Sequence, residues 1–263
     1  MSASSPRPSL EAVRAVAQPA SIFERNSGEH WAGRLYVRRY SAQLTRVLIP
    51  TRVTPNQLTW LMLVVGLAAA AVLTLPGIWP AVAAVLLIQG QILLDCSDGE
   101  LARWRQQFSP KGIYLDRLGH YVTETALPIA LGIRADGGWD DAGGTYTTLG
   151  LVAAVLALMV RMEGVLVGVA RAESGLRAAA DTAAMAAPRG GLLRSARRWL
   201  GLFPFFRAFV AIEATLLALL AAFGDAIAGD LAVTRALVIV LGPVALITAV
   251  GRLAAIMSSE RLR

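Results

Sequence analysis

Long apolar stretches alternate with short polar connections along most of this chain. They run approximately over Leu58–Leu75, Ala81–Leu94, Ile113–Ile133, Thr147–Ala170, Phe205–Phe223 and Leu231–Ala255. A helix needs roughly 20 apolar residues to cross about 30 Å of hydrocarbon, and most of these stretches approach or exceed that length. The second is short unless its helix continues through Asp95 to Arg103. The pattern predicts an all-α, polytopic membrane protein with six transmembrane helices, because helices satisfy their own backbone groups in lipid.

Ahead of the first span, Arg residues alternate with Trp31, Leu35, Tyr36, Tyr40, Leu44 and Leu48. Positions 31, 35, 40, 44 and 48 approximate one helical face. Residues 30–53 are therefore expected to form an N-terminal amphipathic interfacial helix. Thr54-Pro55-Asn56 then punctuates the start of the first span, since Thr caps a helix and Pro fits its first turn. Met1–Pro19, rich in Ser, Pro, Ala and Arg, has no apolar core and is not a signal peptide; residues 1–29 read as a disordered cytoplasmic N-terminus. The domain reading is completed by a six-helix membrane domain over 54–258 and a cytoplasmic tail over 259–263. Between Glu173 and Leu200, Gly190-Gly191 after Pro188 and many Arg residues predict a cytoplasmic loop containing a helical piece.

Composition supports this class: 56% of the 263 residues are hydrophobic, against roughly 45–50% in soluble domains. The net charge of +7 invites a nucleic-acid partner, but its distribution points elsewhere. Arg7 to Arg52 precede the first span, Arg103, Arg105, Lys111 and Arg117 surround the second connection, and Arg171 to Arg207 surround the fourth. The opposite connections carry Asp136, Asp140, Asp141, Asp225 and Asp230 or no charge at all. By the positive-inside rule, both termini and the second connection are cytoplasmic, and the basic charge is topological. No nucleic-acid role is expected. The preference for Arg over Lys and the high Ala content suggest a GC-rich bacterial genome, hence a bacterial inner membrane.

The polar residues that matter most lie in Asp95–His120, DCSDGELARWRQQFSPKGIYLDRLGH. Charge at the ends of apolar helices is expensive and usually faces a cavity where it serves a function. With the second helix continued through Arg103, Asp95, Asp98 and Ala102 share a face. Gly99 bares backbone for the close approach of a ligand or helix. Arg103 supplies a planar fork suited to phosphate oxygens. On the next helix, begun near Gly112, Asp116 and His120 again share a face. Carboxylates gathered in one volume repel one another. Hard divalent cations such as Mg²⁺ or Mn²⁺ relieve that repulsion and also bridge phosphates.

The spacing D-x-x-D-G-x-x-A-R, eight residues, G-x-x-x-D-x-x-x-H closely resembles the signature of the CDP-alcohol phosphotransferases. These are integral membrane enzymes, usually dimers, that move a substituted phosphate from a CDP-linked donor to an acceptor hydroxyl and release CMP. The resemblance implies metal binding at Asp95, Asp98 and Asp116, with two Mg²⁺ or Mn²⁺ ions per site. It places Gly99, Ala102, Arg103 and Gly112 around the cytidine diphosphate, in a cavity open to the cytoplasm. Two metals can clamp a diphosphate and align the attacking oxygen.

The last position departs from the family, which has Asp where this chain has His120. The imidazole can keep the role of catalytic base, since its unperturbed pKa of about 6.5 suits proton abstraction at neutral pH. It can instead ligate metal and tilt the preference toward Mn²⁺, or mark a degenerate, inactive site. Glu124 continues the stripe of Asp116 and His120. It is a candidate to orient His120 or supply the missing carboxylate, its alternative being a pair with another helix, for instance with Arg161. Arg161, Glu163 and Glu213 either pair between helices or line an acceptor pocket. Arg207 and Arg252 hold an anionic acceptor or snorkel to headgroups. Cys96 reads as a packing residue, and Gly150, Gly164 and Gly168 as points of close helix approach.

The function expected is metal-dependent phosphotransfer from CDP-diacylglycerol or a CDP-polyol to a lipid or polyol hydroxyl, within phospholipid biosynthesis, by a homodimer. The alternative is a transporter or non-catalytic membrane protein with a degenerate site. Intramembrane charge would suit it, but the combined Gly, Ala, Arg and Asp spacing would have no explanation.

Overall fold

The computed structural model describes residues 7–20, 30–177 and 205–262. It is 84% helical, with no strand among the described residues. The helices are α1 (Leu10–Ala17), α2 (Arg38–Leu48), α3 (Pro55–Leu73), α4 (Ile78–Arg105), α5 (Pro110–Asp136), α6 (Thr145–Glu173), α7 (Ala211–Ala228) and α8 (Ala232–Met257). Five of them, α3, α4, α6, α7 and α8, are long and apolar enough to cross a membrane. The 27-residue α5 has the length but is not apolar enough to join that group. The large apolar side chains these helices expose, such as Val64, Leu86, Val155 and Leu220, each more than half exposed, suit a lipid surround.

Helix boundaries follow local chemistry. Thr54 and Gln57 form a capping box at the start of α3: the Gln57 amide donates to Thr54 Oγ1 (3.3 Å) and the Thr54 amide to Gln57 Oε1 (2.8 Å), with Pro55 at the first helical position. Helix α4 runs on through Arg105, two residues beyond the Arg103 to which the sequence extends it. It closes with the Gln107 amide donating to Ala102 O at 2.9 Å and Gln106 in the left-handed region at φ 55°. Ser109 then caps α5, its Oγ accepting from the Gly112 amide at 3.0 Å.

The chain divides into two compact units, Met1–Leu67 with Leu86–Val122, and Ala68–Val85 with Thr123–Arg263. In the first, residues 31–48 are helical, a π-helical turn over Gly33–Val37 leading into α2. The helical stretch is shorter than the expected 30–53, and Leu35 and Tyr40 are exposed at 73% and 55%. Val37, Ser41, Ala42 and Thr45 are buried, while Trp31, Leu44 and Leu48 are half-buried. Arg105 closes the C-terminal end of α2, donating to Leu48 O, Ile49 O, Thr51 O and Val53 O at 2.5–3.2 Å. The reading of residues 1–29 as disordered is corrected at Leu10–Ala17: Ser9 caps α1 through the Ala12 amide, and Val13 and Ala17 are fully buried.

In the second unit, α8 packs against α6 and α7. Aspartates at helix ends cap the following helices. Asp136 accepts from the Tyr146 and Thr147 amides at 3.2 and 2.8 Å, and Asp225 from those of Val233 and Thr234 at 3.0 Å. Such caps satisfy amide donors that a helix start leaves orphaned. Gly150 allows the close approach expected of it, since a Cβ there would meet the Pro128 carbonyl. Gly168 faces open space, and Gly164 lies beneath the Arg252 guanidinium. The helical piece expected between Glu173 and Leu200 falls mostly on residues 178–204, outside the described residues.

Candidate active site

All four acidic and imidazole positions expected to bind metal lie in the first unit. Helix α4 carries Asp95 and Asp98 one turn apart, and α5 carries Asp116 and His120 one turn apart. His120 Nε2 stands 3.1 Å from Asp95 Oδ1 and 3.7 Å from Asp116 Oδ1. Asp95, Asp116 and His120 each offer one ligand atom, and these lie within 4.8 Å of one another. Two carboxylates and an imidazole fit a divalent cation, whose charge would offset the repulsion between the acids. Asp98 is more buried, and its Oδ2 accepts from Thr59 Oγ1 at 2.6 Å.

Beside this cluster is a cavity of about 200 Å³ whose lining includes Asp98, Gly99, Ala102, Arg103, Gly112 and Asp116. The four residues expected around the donor therefore line one cavity. Gly99 makes room for Arg103: a Cβ there would stand 3.1 Å from Nη1 and 3.4 Å from Nη2 of the guanidinium. At Gly112 a Cβ would stand 3.0 Å from Asn56 Oδ1 and 3.3 Å from Ser109 Oγ. Small residues at both points keep the cavity open between α3, α4 and α5.

Thr59 joins this lining without being singled out by the sequence, and Asn56, read there only as part of the start of the first span, joins it too. Glu100 was also missed. It is fully buried, and its carboxylate accepts from Gln18 Nε2 (2.8 Å), Arg38 Nη1 (3.2 Å), Ser41 Oγ (2.6 Å) and Thr45 Oγ1 (2.8 Å). A carboxylate inside an apolar helix must find partners, and that requirement was the available signal.

In the second unit, Glu124 pairs with Arg161 of α6, Oε1 to Nη2 at 2.5 Å. Glu163 lies 3.9 Å from Arg252 of α8. Both are the helix-to-helix pairs that buried charge calls for. The Cys96 side chain is buried.

The fold and this constellation define a helical membrane protein with an acidic site on two consecutive helices beside a cavity of about 200 Å³. The sequence model of the CDP-alcohol phosphatidyltransferase family matches residues 52–241, more than two thirds of the chain, and the chain belongs to that family. Membership makes it a membrane-embedded transferase of the CDP-alcohol class. Comparison with the curated proteins gives no significant match.

Proposed function

We propose that this protein transfers a substituted phosphate from a CDP-alcohol to an acceptor hydroxyl and releases CMP, in phospholipid biosynthesis at a bacterial inner membrane. The observation that carries the reading is the convergence of Asp95, Asp116 and His120 beside a cavity lined by Asp98, Gly99, Ala102, Arg103 and Gly112. The acceptor oxygen bonds to the β-phosphorus, the bond from phosphorus to the CMP oxygen breaks, and the hydroxyl proton passes to a base. Asp95, Asp98, Asp116 and His120 would hold Mg²⁺ or Mn²⁺, two ions by the resemblance, which would neutralise diphosphate charge and stabilise the departing CMP.

The chain's own groups do the rest. Arg103 turns its terminal nitrogens over Gly99, where phosphate oxygens can accept from them. Thr59 fixes the orientation of Asp98, which aims the other carboxylate oxygen. Asp116 belongs both to the cluster and to the cavity lining, and so links the cation to the substrate. His120 either completes the ligand set or receives the acceptor proton. The ion pair with Arg161 supports a helix-pairing role for Glu124 over a catalytic one. By the positive-inside rule the termini and the cavity face the cytoplasm; α5 is the third of six spans, and by the family resemblance the protein works as a homodimer.

CMP is common to every reaction of this class, so it tests the proposal without a choice of acceptor. Purified protein in detergent should be thermally stabilised by CMP only in the presence of Mg²⁺ or Mn²⁺, as binding linkage requires. Asp98→Asn should abolish the shift. A folded protein whose melting point responds to neither CMP nor metal would overturn the reading.

A further inference from the structure

We infer that the segment Ser9–Gln18 is a positioning element of the donor cavity, acting through Arg103. The inference rests on the assignment of that cavity to the donor. Arg103 Nε donates to Ala17 O at 2.6 Å. Ala17 is the last residue of α1, where a helix leaves carbonyls unpaired and carries partial negative charge. With Nε so engaged from outside, Nη1 and Nη2 are the ends that lie over Gly99. Among the described residues lining the cavity, Arg103 alone has a cationic side chain. The direction in which that charge points is therefore set by α1.

An eight-residue helix does not hold its own shape in water, so α1 needs a seat. Val13 and Ala17 bury its inner face. Gln18 Nε2 donates both to Glu100 Oε1 and to Arg38 O, each at 2.8 Å. Glu100 follows Gly99 directly in the chain and also gathers Arg38, Ser41 and Thr45. One turn of α4 thus presents Gly99 and Arg103 to the cavity while Glu100 anchors the N-terminal segment. A guanidinium already held in its binding orientation loses less freedom when a phosphate arrives, so unseating α1 weakens donor binding through Arg103.

The test uses the full-length protein with Val13→Asp, which places a charge on the buried face of α1, and Gln18→Ala, which removes its two hydrogen bonds. CMP is titrated at saturating Mg²⁺, Mn²⁺ is titrated alone, and tryptic cleavage after Arg14 reports release of α1. Both variants should be cleaved faster, bind CMP about tenfold more weakly and bind Mn²⁺ as the wild type does. Added to Arg103→Ala, Gln18→Ala should weaken CMP no further, whereas a general structural defect would add to the loss. Released α1 with wild-type CMP affinity, or additive losses, would overturn the inference. Should Val13→Asp fail to fold, Gln18→Ala carries the same outcomes. A wild type that binds no CMP would remove the donor site itself, a failure visible before any variant is made.

Discussion

His120 Nε2 lies 3.1 Å from Asp95 Oδ1, joining α5 to α4 across 25 positions of the chain. A nitrogen thus sits among carboxylate oxygens at the point where the family has a fourth Asp. Nitrogen is a poorer Mg²⁺ ligand than oxygen, and transition ions accept it more readily. His120→Asp is expected to shift preference from Mn²⁺ toward Mg²⁺, and His120→Ala to weaken Mn²⁺ by about tenfold or more, the least that loss of support at a metal site typically costs. Titration calorimetry with each ion reads both. Unchanged Mn²⁺ affinity in His120→Ala, with turnover lost, would assign the residue to proton transfer instead.

Thr59 tests how the second carboxylate of α4 is held. Its hydroxyl lies 2.6 Å from Asp98 Oδ2 and 3.1 Å from Pro55 O within α3. Thr59→Val keeps the shape and removes the donor. Groups that orient metal ligands typically contribute about 10–100-fold in affinity, so CMP with Mg²⁺ should bind at least tenfold more weakly. The melting point without ligand should move little. Equal affinity in wild type and variant would show that Asp98 needs no such support.

The site was legible in the sequence to the extent that helical periodicity determines it. Spacings of three and four place Asp95 with Asp98, and Asp116 with His120, on common faces once the second helix is continued to Arg103. Glu100 was not legible in that way. Its partners stand up to 82 positions away, and local periodicity cannot say which distant polar groups converge on a buried acid. Helix α1 did leave a trace, since Ser9 precedes Leu10, Val13 and Ala17 at helical spacing. A helix that short is stable only by docking, and the dock was the unrecognised Glu100. Asp136 and Asp225 read as topological charge because capping depends on where the next helix begins.

Two glycine substitutions should separate function from packing. Gly99→Ala would press a methyl against the flexible end of Arg103, 3.1 Å from Nη1, so the guanidinium must turn aside. CMP affinity should fall several-fold while the unliganded melting point holds. Gly132→Ala instead meets backbone that cannot yield, 2.5 Å from Tyr146 O and 2.9 Å from Thr147 Cα. Overpacking of this kind costs about 1–3 kcal/mol, so the melting point should fall, with the CMP affinity of the folded fraction preserved. The reverse pattern would contradict both assignments.

The pair Glu124–Arg161 decides whether Glu124 belongs to catalysis or to the helix bundle. Its side chain is 8% exposed and that of Arg161 36%. Removing one partner of a fully buried pair costs roughly 3–5 kcal/mol. The partial exposure of Arg161 should keep Glu124→Gln below that range, with a clear drop in melting point. Replacing both residues with Leu leaves no uncompensated charge, and such replacements are often neutral or stabilising. The double variant should therefore melt above Glu124→Gln. If pairing is the whole role of Glu124, the double variant should also retain turnover with a CDP-alcohol donor. Restored stability with turnover still absent would return Glu124 to the catalytic set.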